Sequence, residues 1–186
     1  MTESIRWVIL DRDGVINRDS DNYVRSPDEW IPLPGSIEAI ARLSRAGLPV
    51  TVATNQSGLA RGYFDASALE AMHRKLVGLV EAAGGRIDAI AWCPHGPEDG
   101  CDCRKPLPGL IDRLAEKTGL RPAQALLVGD SIRDLEAGRA RGCSLALVRT
   151  GKGRKSETKL AEAGLGHVPV YNDLAAVVNA LLKEGD

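Results

Sequence analysis

Asp11 and Asp13 stand one residue apart at the end of the apolar run Trp7-Val8-Ile9-Leu10. Side chains at i and i+2 of an extended segment point the same way, so two carboxylates crowd one side of a strand end. Like charges that close repel and perturb each other's proton affinity. A folded chain carries such a pair when a cation or a chemical task lies between them. Asp130 adds a third carboxylate, and three oxygen ligands suit Mg²⁺, which keeps several waters while bridging to phosphate. Thr54 offers a hydroxyl, the Ser57-Gly58 backbone offers N–H donors, and Lys105 offers a fixed positive charge. Carboxylates with a cation, a hydroxyl and a lysine are what phosphoryl transfer needs: a nucleophile, charge neutralisation, and donors for the equatorial oxygens.

A second constellation lies just before Lys105. Cys93 and His95 are followed, five residues on, by Cys101 and Cys103. Three thiols and one imidazole are a complete tetrahedral set for Zn²⁺, and a closed set is structural rather than catalytic. The intervening Gly96-Pro97-Glu98-Asp99-Gly100 is turn chemistry that lets the two ligand pairs fold together. A metal knot there fixes where Arg104 and Lys105 point. The Arg104 guanidinium suits bidentate contact with a second anionic group.

Short apolar runs alternating with amphipathic stretches must position these groups. The pattern predicts strands over 6–10, 49–53, 89–92, 125–128, 144–148 and 167–170, and helices over 36–46, 66–83, 108–118, 132–141, 157–163 and 172–183. Ser36 and Asn172 are the expected N-caps. Gly47, Gly84, Gly119, Gly142 and Gly164 fall where helices should stop. Such alternation implies an α/β, three-layer, Rossmann-like fold with a central parallel sheet. In open α/β sheets, ligands bind beyond the carboxyl ends of the strands. Asp11/Asp13, 54–58, 93–105 and 129–131 all fall there.

Taken in order, Asp11-x-Asp13-Gly14, Thr54-Asn55, Lys105 and Gly129-Asp130-x-x-x-Asp134 resemble the four motifs of the haloacid-dehalogenase-like (HAD) phosphohydrolases. The resemblance implies that Asp11 is the nucleophile and forms an aspartyl-phosphate, and that Asp13 protonates the leaving alkoxide and then activates water. It implies Mg²⁺ held by Asp11, the Asp13 backbone carbonyl and Asp130, with Thr54 and Lys105 on the phosphoryl oxygens. Asp134 is expected to support the metal shell or Lys105 from behind.

With the cysteine–histidine loop, the runs D-R-D-G-V-I-N-R, T-N-Q-S-G-L-A-R-G, C-P-H, C-D-C-R-K-P and G-D-S resemble the D,D-heptose 1,7-bisphosphate 7-phosphatases, and histidinol-phosphate phosphatases are similar. The first group implies removal of the C7 phosphate of D-glycero-D-manno-heptose 1,7-bisphosphate in nucleotide-activated heptose and lipopolysaccharide core synthesis. The second implies histidine biosynthesis. Members of this group lack a large cap domain, so Arg12, Asp19, Ser20, Asp21, Asn22, Asn55, Gln56, Ser57 and Arg104 are expected to define the substrate pocket. Arg104 and Arg61 suit a second phosphate, whereas Asp19 and Asp21 suit the amine of histidinol phosphate. Some relatives carry a lysine where this chain has Ser131. A zinc-binding interaction module without chemistry is the alternative from another class; it has no use for the carboxylate set.

The remaining features restrict the partners. At 186 residues one domain spanning 1–186 is expected, and 44% hydrophobic residues supply a core. Twenty-four basic against 25 acidic residues, a net charge of −1, argue against nucleic acid and anionic lipid, as do 4% aromatics. Every apolar run is shorter than the roughly 20 residues that span a bilayer. A cytoplasmic monomer acting on a small phosphorylated sugar is the expectation, with its cysteines as thiols or metal ligands. Cys143 reads as a packed core thiol, and His73 and His167 as structural or exposed. The segment 151–156 lacks phosphate-loop spacing and is expected to be a mobile basic loop near the rim.

Overall fold

The computed structural model describes residues 4–183. Its six strands form one parallel sheet in the order β3-β2-β1-β4-β5-β6. They are β1 (Trp7–Leu10), β2 (Val50–Asn55), β3 (Ala89–Cys93), β4 (Ala125–Gly129), β5 (Ser144–Val148) and β6 (Val170–Tyr171). The helices are α1 (Ser36–Arg45), α2 (Ala66–Ala82), α3 (Gly109–Thr118), α4 (Ile132–Arg139), α5 (Gly153–Glu157) and α6 (Leu174–Lys183). The expected three-layer α/β architecture is what the chain forms.

β1 is central and covered on both faces, which is why it reads as an unbroken apolar run. Val8 and Leu10 join the core beneath α1, α2 and α6. Trp7 and Ile9 point to the opposite core, with Leu110, Ile111 and Leu114 of α3 and Leu135 of α4. The chain winds outward from β1 through β2 and β3, then restarts at β4 on the other side. Leu10 pairs with Val52 and with Val128. That register brings the residues after β1, β2 and β4 to one rim at the switch of winding direction, where such sheets bind ligands.

Three local expectations are corrected. The helix expected over 157–163 is instead the five-residue α5, Gly153–Glu157, followed by turns. Its start is drawn toward Asp130, whose carboxylate accepts from the Lys152 N–H at 2.9 Å and whose carbonyl accepts from the Ser156 hydroxyl at 2.8 Å. The supposed mobile loop is thus tied to the site. The last strand is Val170–Tyr171 rather than 167–170, because only those two residues pair with β5, at Leu147 and Val148.

The caps also differ. Ser36 is the first residue of α1 and donates its hydroxyl to Ile16 O at 2.6 Å; Gly35, φ 78°, holds the cap position. At α6 the Asp173 carboxylate caps Ala176 N–H at 2.8 Å, while Asn172 accepts from Arg149. Gly47, Gly84, Gly119 and Gly142 do end helices, each with positive φ.

Candidate active site and metal-binding loop

The Asp11 backbone continues β1, donating its N–H to Val128 O at 3.0 Å. Its Oδ1 accepts from Arg12 N–H at 2.9 Å and from Lys105 Nζ at 3.0 Å. Lys105 is buried and also donates to Ala53 O at 2.8 Å and to the Asp134 carboxylate at 2.6 Å. Asn55 grips the Lys105 backbone from both sides, accepting from its N–H at 3.0 Å and donating to its carbonyl at 3.2 Å. The β2 strand end therefore sets a lysine that lies 50 residues further along the chain.

Asp134 backs the lysine, as expected. Its Oδ2 also accepts from the Asp130 and Ser131 N–H groups and from the Ser131 hydroxyl at 2.9 Å. Ser131 in turn caps α4 in a reciprocal capping box. The hydroxyl thus orders the start of the helix that carries Asp134.

Asp11, Asp130 and Asp134 place carboxylate oxygens within 4.8 Å of one another. Burial, then repulsion from Asp134, pushes the Asp11 carboxyl up to about 7, against the pull of Lys105. Burial, then repulsion from Asp11 and Asp134, pushes Asp130 up to about 9. Burial also opposes ionisation of Asp134, but Lys105 and Ser131 outweigh it and hold that carboxyl below its usual range. Burial opposes the Lys105 charge as well, and the two carboxylates overcome it, raising its proton affinity. The cluster is an anionic pocket with one lysine among three carboxylates. Its strained pair, Asp11 and Asp130, fits a hard divalent cation such as Mg²⁺.

Two glycines make room for Asp130. A Cβ on Gly14 would lie 2.1 Å from its Oδ2, and a Cβ on Gly151 would lie 2.3 Å from the same atom and 2.5 Å from Gly14 Cα. Both have positive φ, 90° and 57°.

Asp13 has a different environment. Its carboxylate accepts from Arg12 Nε at 3.1 Å and Nη2 at 2.9 Å, from Asn17 Nδ2 at 2.8 Å and from Gln56 Nε2 at 3.0 Å. Gln56 Nε2 also reaches the Thr54 hydroxyl at 2.9 Å, linking the two strand ends. Arg12 itself is 0% exposed. Its expected place in the substrate pocket is therefore corrected: the guanidinium points inward because Asp13 and His73 Nε2, at 3.3 Å, satisfy it there. Burial and the Arg12 charge push His73 down to about 4, so it is neutral.

A cavity of about 320 Å³ opens over this rim. Asp11, Asp13, Thr54, Lys105 and Asp130 line it, together with Asp19, Ser20, Asp21, Asn55, Gln56, Ser57 and Arg104. Asn22 does not. It sits in an exposed turn, its N–H on the Ser20 hydroxyl and its carbonyl accepting from Arg25. Tyr23, Arg133 and Lys152 also line the cavity, as does Arg61. Arg133, three residues after Asp130 in the first turn of α4, was findable from that spacing. Tyr23 was not, since its inward turn depends on a left-handed φ of 65°.

Beside the cavity, Cys93 at the end of β3 approaches Cys103 at 2.9 Å, His95 Nδ1 at 3.5 Å and Cys101 at 3.6 Å, with Cys103 to His95 at 3.4 Å. Tetrahedral zinc bonded at its usual lengths separates neighbouring ligands by about 3.5–3.8 Å; three of these separations lie at or near that range, while the 2.9 Å approach of Cys93 to Cys103 is shorter and would have to open for the three thiols and imidazole to hold Zn²⁺. Burial and the neighbouring thiols push Cys93 up to about 12. Desolvation opposes the Cys101 thiolate, yet the Arg104 and Cys103 N–H groups, helped by the Cys93 and Cys103 thiols, together outweigh it and bring that thiol down to about 6. Arg104 donates to His95 O at 3.2 Å, so the loop also aims the arginine.

The family described as HAD-hydrolase-like matches residues 102–177. The D-glycero-beta-D-manno-heptose-1,7-bisphosphate 7-phosphatase of Pseudomonas aeruginosa is 57% identical over 177 residues, 95% of this chain and 97% of that protein. The protein of the same name from Bordetella bronchiseptica is 54% identical over 97% of this chain and 99% of its own length. The crystal structure of a D,D-heptose 1,7-bisphosphate phosphatase from B. bronchiseptica, complexed with magnesium and phosphate, superimposes with a TM-score of 0.91, covering 97% of this chain and 99% of that one.

Proposed function

The chain belongs to the D-glycero-beta-D-manno-heptose-1,7-bisphosphate 7-phosphatase family of HAD-type hydrolases, and we propose that it removes the C7 phosphate of the β-anomer of that bisphosphate through an aspartyl-phosphate on Asp11. The carrying observation is the Asp11 carboxylate at a strand end, fixed by Lys105 and facing a polar cavity beside Asp13 and Asp130. The sequence is read as one catalytic domain, a cytoplasmic monomer. No described helix is long and apolar enough to cross a membrane.

In the first step an Asp11 oxygen attacks phosphorus and the bond from phosphorus to the C7 oxygen breaks. Asp13 gives its proton to the departing alkoxide. In the second step Asp13 takes a proton from water as the water oxygen attacks phosphorus, releasing inorganic phosphate and restoring the Asp11 carboxylate. Two easier displacements replace one difficult one. Thr54 and Lys105 bind the phosphoryl oxygens, with the Ser57 backbone beside them. Asp11, Asp130 and the Asp13 main-chain carbonyl would hold Mg²⁺, which when bound neutralises charge on the transferring group. Asp19, Ser20 and Asp21 face the sugar, leaving heptose 1-phosphate as product.

Arg104 is assigned to the retained C1 phosphate. It faces the cavity, where burial and then the nearby Arg133 disfavour its charge, and Arg61 and Lys152 lie on the same rim. Four cationic groups besides Lys105 around a small cavity suit a second dianion rather than the amine of histidinol phosphate. Arg104→Ala should lower kcat/KM for the bisphosphate by about 100-fold, the worth of a charge-assisted bidentate contact, and for a heptose monophosphate by less than about threefold. Equal losses would remove Arg104 from this role. The test of the function itself is phosphate release from both heptose bisphosphate anomers and from histidinol phosphate. A preference for histidinol phosphate overturns the reading.

Gly151→Ala tests the Asp130 assignment. The added Cβ must displace the Asp130 carboxylate or the Gly14 backbone. Displacing a reacting group by about 1 Å costs on the order of 100-fold in rate. The variant should need more Mg²⁺ for half-maximal activity and show a comparable drop in kcat; an unchanged Mg²⁺ titration would refute the assignment.

A further inference from the structure

We propose that Arg12 and His73 form a brace that positions the Asp13 carboxylate for its two proton transfers. The proposal rests on the reading of Asp13 as the acid and base. Arg12 sits between the two rim aspartates in sequence, yet it is 0% exposed and does not line the rim cavity. Its fork spends itself inward: Nε and Nη2 on the Asp13 carboxylate at 3.1 and 2.9 Å, and Nη1 on His73 Nε2 at 3.3 Å.

The chemistry of the pair fixes the direction of this last contact. A guanidinium has only donors. His73 Nε2 must therefore present its lone pair, which leaves the ring proton on Nδ1. The neutral state of the buried imidazole agrees with this. A planar fork held at one end by an acceptor and at the other by two carboxylate contacts has little rotational freedom. Asp13 is thereby held in one plane, with Asn17 and Gln56 completing its contacts. His73 is carried by α2 and packs against Trp92 of β3, ring centroids 5.7 Å apart. The helix after β2 thus reaches the acid/base through one arginine. A side chain that holds a reacting group typically changes rate by about 10- to 100-fold when lost.

The test compares His73→Leu with His73→Gln, whose amide oxygen restores an acceptor. The Leu variant should lose about 10- to 30-fold in kcat with KM within about twofold, since nothing in the brace touches substrate. The Gln variant should recover to within about threefold of the parent. Equal kcat in the two variants, or a KM that rises as kcat falls, overturns the brace. Thermal midpoints show whether kcat follows the acceptor or merely stability. A second readout needs no activity: the Arg12 Nε–H resonance should exchange slowly in the parent and in His73→Gln, and broaden in His73→Leu. An equally sharp resonance in all three overturns the proposal. If the parent hydrolyses no phosphoester, the functional reading fails while the resonance still decides the brace.

Discussion

Asp11→Asn lowers phosphate release by at least about 1,000-fold, the order expected when a covalent nucleophile is removed, and leaves the fold intact. The argument for the first half is geometric. Asp11 presents a carboxylate at the cavity, and the three carboxylates packed around it are engaged elsewhere. Asp134 is committed to Lys105 and Ser131, and Asp13 to Arg12, Asn17 and Gln56. Asp130 accepts from Lys152 N–H at 2.9 Å and is packed against the glycine pair beside it. The argument for the second half is electrostatic. An amide at position 11 removes one buried charge that repels Asp130 and Asp134. It also takes a partner from Lys105, which keeps Asp134 at 2.6 Å and Ala53 O at 2.8 Å. These effects oppose each other, so the thermal midpoint should move by no more than about 4 °C, equivalent to about 1 kcal/mol in a chain of this size. Residual activity within about tenfold of the parent, under the same Mg²⁺ and substrate, would sink the covalent mechanism.

The residues that were legible in the sequence are those placed by strand register. Asp11, Thr54 and Asp130 follow directly from apolar runs buried on both faces, and parallel pairing leaves little choice about which ends meet. The cysteine–histidine spacing is similarly local, since turn residues alone bring the pairs together. Arg12 shows where this stops. Its neighbours in sequence are rim aspartates, but its direction is decided by a histidine 61 positions away on α2. Nothing in the run D-R-D-G distinguishes an arginine facing substrate from one facing the core. Likewise, α5 begins at Gly153 because Lys152 and Ser156 meet Asp130, a contact between elements rather than a local propensity. Tyr23 enters the pocket through a left-handed backbone that its own residue type disfavours. For Arg12 and α5 a long-range partner overrode the local preference.

Cys101→Ser should strip the protein of its zinc, from about one equivalent to less than about a tenth by mass spectrometry, and lower the thermal midpoint by about 10 °C, since each kcal/mol shifts a chain of this size by about 2–4 °C. Cys101 is the informative position because it is only half-buried, unlike Cys93 and Cys103. A serine there meets solvent without burying an unpaired hydroxyl, so the loss reports the metal rather than packing. The thiol, brought down to about 6, already offers a thiolate at neutral pH, whereas serine offers no anionic ligand. The consequence should reach the chemistry. The chain passes from Cys103 directly into Arg104 and Lys105, and Arg104 is bonded to His95 O. Activity on the bisphosphate should fall by about 10- to 100-fold even well below the new midpoint. Cys143→Ser is the control. That thiol lies buried just before β5, at the opposite end of the parallel strands from the zinc loop, and is pushed up to about 12 by burial; its loss should cost only about 1 kcal/mol while zinc content stays at one equivalent. Native protein that holds no zinc, or a Cys101 variant that keeps both its metal and its midpoint, would show the loop to be a reduced-thiol turn and leave the aiming of Arg104 to the backbone alone.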